Sequence, residues 1–82
     1  MNPELKEFIK SRYEYEGFAF DDNKDIYANY ASQVFQVPYE DCLEFVNGVV
    51  NADHNGPLRR RMVKLYFIKL WEMSQGNIDH VG

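Results

Sequence analysis

The sequence predicts an all-α fold, a small bundle of three to four helices. Residues 26–35 and 57–74 both repeat apolar side chains at helical spacing. Asn2-Pro3-Glu4 and Gly17 bracket a third segment with helix start and stop signals. Eighty-two residues allow one small domain, residues 1–82, with a thin core.

The elements follow in order. Asn2 suits an N-cap, Pro3 a first helical position and Glu4 the positive end of a helix dipole. Leu5, Phe8, Ile9 and Tyr13 then fall on one face, and Gly17 ends the helix by taking a positive φ. Phe18, Ala19 and Phe20 form a short apolar link. Asp21 or Asp22 is expected to cap the second helix, whose stripe is Ile26, Tyr27, Tyr30, Ala31, Val34 and Phe35. Pro38 closes that helix or opens the next.

Residues 38–52 support two readings. Pro38 with Glu40 and Asp41 behind it favours a helix, with Leu43, Val46 and Val50 on one face. Asn47-Gly48 between short apolar runs is a hairpin signal, so a short hairpin at 43–50 is the competing reading. Helix is preferred because a lone hairpin needs another surface to support it. Asn51 to Gly56 reads as a loop. Pro57 starts the last helix, which runs to about Ser74, with Gly76 and Asn77 as terminators. Its apolar residues, Leu58, Met62, Val63, Tyr66, Phe67, Leu70, Trp71 and Met73, cover more than one face. Such a helix is central in a bundle or turns its second face to a partner. The tail from Ile78 to Gly82 is expected to be loose.

The net charge of −4 disfavours nonspecific nucleic-acid binding by the whole domain and suits a partner with a basic face. The aromatic fraction of 16% supplies either core or interface, because Tyr, Trp and Phe serve both. One cysteine excludes an internal disulfide and fits a reducing compartment. The N-terminus lacks an apolar signal core, and no run is long enough to span a membrane. These features predict a cytoplasmic protein.

No catalytic constellation stands out. His54, His80 and Cys42 match no zinc spacing, and the histidines read as surface residues. Asp21, Asp22 and Asp25 read as caps before they read as magnesium ligands. Cys42, flanked by apolar residues, reads as a small buried side chain. No metal and no cofactor is expected. Arg59-Arg60-Arg61 with Lys64 carries more chemistry: Arg60 and Lys64 share a helical face and could grip a phosphate chain. Cations at a helix N-terminus oppose the macrodipole, and a bound anion would relieve that cost. A solubilising face paired with nearby acids is the plainer alternative.

Residues 23–73 contain Lys24-Asp25-Ile26-Tyr27-Ala28, Ala31-Ser32, Phe35 and Pro38-Tyr39-Glu40-Asp41-Cys42-Leu43-Glu44-Phe45. Gly48, Gly56, Arg59-Arg60 and Lys64 follow. This string resembles the palm-to-fingers region of family A DNA polymerases, most closely their phage-type members. The resemblance implies that the last helix is a fingers helix, with Arg60 and Lys64 at its triphosphate-gripping positions. The departures are as informative. Glu72 and Met73 stand where the family has the Tyr and Gly that check the nascent base pair, and Ile68 replaces a Phe or Leu. The palm carboxylates have no counterpart, so a metal clamp for phosphoryl transfer is missing.

The expectation is a non-catalytic, phage-type accessory protein that binds a protein partner in the cytoplasm of a bacterial host. Inhibition of a host or defence protein is one such role. Trp71, Tyr66, Phe67 and Tyr30 are the candidate interface residues. The alternative is a fragment that binds dNTP or DNA phosphate through Arg60, Lys64, Arg59 and Arg61, such as a piece of a split polymerase. A self-assembling helical module, forming a homo-oligomer, is the third reading.

Overall fold

The computed structural model describes residues 1–76, so the expectation for the tail from Ile78 to Gly82, with His80, lies outside the described residues. Three helices are present: α1 Pro3–Glu16, α2 Ile26–Phe35 and α3 Gly56–Ser74. Between α2 and α3 lie a 3-10 turn at Tyr39–Cys42 and two short strands, β1 Phe45–Val46 and β2 Val49–Val50.

The ends of α1 follow local chemistry. The Asn2 side chain accepts from the Glu4 N–H at 2.8 Å, which satisfies a donor left free at the first turn. Gly17 takes φ 74° beyond the last turn, and the N–H of Phe18 reaches back to the Tyr13 carbonyl at 2.9 Å. The cap of α2 corrects the sequence reading. Asp25, rather than Asp21 or Asp22, receives the Ala28 N–H at 2.8 Å. Asp21 instead accepts from the Asn23 N–H in the preceding loop.

Residues 38–52 are also corrected: the preferred helix gives way to a 3-10 turn and a hairpin. Pro38 starts only one tight turn, after which Leu43 is extended. Asn47 and Gly48 take φ 53° and 80°. Positive φ at both central residues defines the tight hairpin turn that Asn-Gly favours. The strands pair antiparallel, Phe45 with Val50 and Val46 with Val49. The fold is therefore mostly helical with a two-stranded sheet. Support for the hairpin comes from Asn51. Its amide donates to the carbonyls of Asp41 at 2.8 Å and Leu43 at 3.1 Å, and its carbonyl oxygen accepts from the Asp53 N–H at 2.9 Å.

The core lies where α1, α2, α3 and the 3-10 turn meet, built from Ile9, Tyr13, Tyr27, Ala28, Tyr30, Ala31, Cys42, Val63 and Phe67. Tyr30 takes Tyr13, Phe18 and Phe67 edge-on at centroid distances of 5.1, 5.2 and 4.7 Å. Edge-to-face pairs align positive ring edges with negative faces and add to the burial of area. Outside this cluster, Trp71 meets Phe8 at 5.6 Å and closes α1 onto α3. The link 18–20 is fastened to α2 by Gln33, which accepts from the Ala19 N–H at 2.8 Å and donates to its carbonyl at 2.9 Å.

Candidate functional site

The four cations of α3 do not act as one group. Arg60 points inward and forks onto Asp25, with Nε to Oδ2 at 2.7 Å and an Nη to Oδ1 at 3.1 Å. Its guanidinium also stands 5.5 Å from the centre of the Tyr27 ring. Arg59 turns the other way, to Asp53 Oδ2 at 3.4 Å. Arg61 and Lys64 are exposed and have no ion-pair partner among the described residues.

Asp25 is held from three directions. Its N–H donates to the Tyr39 hydroxyl at 2.8 Å, its carboxylate caps α2, and the same carboxylate receives Arg60. Partial burial pushes its pKa upward, but the Arg60 hydrogen bond, the Ala28 N–H and the Arg60 charge outweigh it, leaving the group below its ordinary value. The Asp25 hydrogen bond raises Arg60 against the opposing effect of burial. Asp53 is also lowered, first by the Asn55 N–H, against slight desolvation, and then by Arg59. Two carboxylates of the chain itself thus take the place of an external anion beside the positive end of α3.

The cavity beside Arg60 has mixed charge. Asp25, Glu44, Arg60 and Arg61 line it together with Phe45 and Pro57. A phosphate entering here would meet two carboxylates as well as two guanidiniums, and would have to compete with a formed fork. Lys64 is absent from this lining. Arg60 is thus engaged by Asp25, while Lys64 stands on the exposed side of α3.

The aromatic candidates also divide. Phe67 is fully buried and Tyr30 nearly so, hence both serve the core. Trp71 is half-buried against Phe8. Tyr66 is the one large exposed aromatic of the four, at 45% exposure.

Tyr66 does not stand alone. Val34, Phe35, Met62 and Tyr66 line a groove between the end of α2 and the middle of α3. Met62, Leu65 and Tyr66 continue it along α3 to Lys69 and Glu72. Leu65 and Met62 are 61% and 52% exposed, so these side chains gain little from the monomer's own core. At 3.6 residues per turn, Leu58, Met62, Leu65, Tyr66 and Met73 form a stripe nearly opposite the core-facing Gly56, Arg60, Val63 and Phe67. The apolar excess of α3 signals this second face in the sequence; Leu65 is not part of that signal, and Val34 and Phe35, which the sequence places in the α2 stripe, are exposed at its end.

Among the described residues, no helix is long and apolar enough to cross a membrane. Likewise, no group of three or more His, Cys, Asp or Glu side chains is placed to hold a metal ion. Comparison of the chain with protein-family models, with curated proteins and with solved structures gave no match.

Proposed function

We propose that this chain is a non-catalytic protein-binding domain whose contact surface is the apolar face of α2 and α3. The observation that carries this reading is the continuous exposed stretch from Val34 and Phe35 through Met62 and Tyr66 to Leu65. Contiguous apolar surface of this kind marks interaction sites, whereas single exposed apolar residues do not. Its use of Tyr and Met fits the composition of interface centres. The Tyr30 and Phe67 of the original candidate set act beneath this surface, setting the backbone of α2 and α3.

In this reading the polymerase-like string is a mark of origin, and the protein is a phage-type accessory factor in the bacterial cytoplasm. Inhibition of a host or defence protein is one role open to such a surface. The phosphate-binding alternative draws its support from Arg61 and Lys64, whose charges are unpaired among the described residues. The fork of Arg60 to Asp25 weighs against it.

The test places a benzophenone photo-crosslinker at Leu65, with Glu7 on α1 as the control position. A defined protein adduct from Leu65 and none from Glu7 is the expected result. Thermal melting with a dNTP mixture runs alongside, since a ligand that binds only the folded state raises its apparent stability. No adduct from Leu65, together with dNTP stabilisation that Arg61→Ala with Lys64→Ala removes, would overturn the protein-binding reading in favour of the phosphate one.

A further inference from the structure

The apolar stripe on α3 has a charge pattern that is wrong for an isolated helix. The first turn of α3 contains no acid, the last turn no base. Instead Arg59, Arg60, Arg61 and Lys64 crowd the N-terminal half, while Glu72 sits near the C-terminal end. Each placement opposes the helix dipole. Asp25 and Asp53 compensate Arg60 and Arg59. Nothing among the described residues pairs with Arg61 or Glu72.

We infer that the occupant of this face is a second copy of the chain, with the two α3 helices packed antiparallel about a twofold axis. The inference rests on the protein-binding reading and names its partner. Arg61 and Glu72 fall on the same flank of the stripe, near its opposite ends. In an antiparallel pair related by a twofold, the same flanks of the two helices lie side by side. Arg61 of each copy then comes within two residues, about 3 Å along the axis, of Glu72 of the other, close enough for two long side chains to form two equivalent ion pairs. Each positive helix end also gains an acid, and each negative end a base.

The apolar residues are self-complementary under the same operation, as an isologous interface requires. A centre between Leu65 and Tyr66 sets these two against each other across the axis. It brings Leu58 opposite Met73, and Met62 opposite Lys69. The Lys69 stem covers Met62 while its ammonium reaches out to water. With Val34 and Phe35 at the margin, the exposed side chains amount to on the order of 600 Å² per copy, at the top of the ~300–600 Å² range for the largest patch of a monomer and somewhat below the ~800 Å² of a standard interface.

Sedimentation-velocity centrifugation across the micromolar range tests this. The wild-type chain is expected to pass from monomer to dimer, and no further, because a twofold contact closes on itself. Leu65→Glu should weaken the dimer more than about tenfold, the scale of an interface-centre residue. Circular dichroism confirms its folding, since Leu65 is outside the core. Arg61→Glu should weaken self-association, and adding Glu72→Arg should restore it. Lys69→Leu should tighten it. A wild-type chain that stays monomeric overturns the dimer, and so does a dimer insensitive to Leu65→Glu and to the charge exchange. A Leu65 crosslink to a different protein, with no self-association, would retain the protein-binding reading while removing the second copy as occupant.

Discussion

Arg60 on α3 and Asp25 at the cap of α2 are 35 residues apart in the chain and joined by two hydrogen bonds of 2.7 and 3.1 Å. This fork lets one carboxylate hold two helices. It ends the unpaired N-terminus of α2 and neutralises a cation that the α3 dipole would otherwise repel. Both side chains are about one-third exposed, with values of 34% and 30%, so solvent screens the pair and moderates its contribution.

A double-mutant cycle separates these roles. Asp25→Asn retains a capping oxygen but loses the charge, whereas Asp25→Ala loses both. The cost should be about 1 kcal/mol for the cap plus about 1–2 kcal/mol for the fork. Urea unfolding of Asp25→Asn, Arg60→Gln and the double variant should give a coupling energy of about 1 kcal/mol. Additive effects within error would mean that the fork holds the helices no better than two solvated charges.

The same pair predicts acid sensitivity. The Asp25 pKa is lower in the folded state than in the unfolded chain, so the unfolded state binds more protons as acid is added. Its stabilising contribution is complete above the ordinary carboxylate value of about 4 and is lost as pH falls through the folded value. Stability measured by urea titration should therefore drop on that acid side, and Asp25→Asn should flatten the drop. An identical acid profile in the variant would place the titration elsewhere, with Asp53 the next carboxylate lowered by its contacts.

Gly56 is predicted to be intolerant of any side chain. A Cβ built there would lie 1.4 Å from the Asp41 carbonyl oxygen and 2.6 Å from its carbon, both backbone atoms. Glycine to alanine in a helix ordinarily gains about 1 kcal/mol. Here the 3-10 turn would have to move off α3, breaking the Asn51 bond to the same Asp41 carbonyl. Gly56→Ala should destabilise by about 3 kcal/mol or more, at the upper end for overpacking. A melting temperature equal to or above wild type would show that the close approach is not kept in solution.

What could be read from the sequence was local. Asn2 and Gly17 mark their helix ends because their bonds reach only a few residues. Asn47-Gly48 carries its turn for the same reason, yet the helix reading of 38–52 gave weight to Pro38 and its acids. Asn51 decides that segment, and its amide bonds run 10 residues back to Asp41, beyond any local pattern. The basic cluster was legible as charge, but its division was not. Arg60 finds Asp25 only because α2 folds against α3. Tyr66 and Phe67 show the same limit: both are aromatic neighbours on an apolar helix, and only packing against Tyr30 puts Phe67 inside.

Tyr13 predicts the opposite limb of the pH profile. Its hydroxyl donates to the Ile26 carbonyl at the start of α2, and its ring is fully buried. Burial first, and then the nearby Asp25 charge, push its pKa well above the ordinary phenol value. The folded state therefore holds this proton more tightly than the unfolded chain. The stability is fully present below about pH 10, the unfolded value, and declines as pH rises further. Tyr27 and Tyr30 are raised by burial as well, so they share the alkaline limb. Tyr13→Phe should cost about 1 kcal/mol at neutral pH by removing one hydrogen bond from the Ile26 carbonyl, which keeps its helical partner. It should also lose less stability than wild type between neutral pH and pH ~11, because one of the three raised phenols is gone. Urea unfolding followed by circular dichroism at the two pH values checks both effects. An undiminished alkaline loss in Tyr13→Phe would mean that Tyr13 ionises without unfolding, and that its hydroxyl reaches solvent more readily than a fully buried ring allows.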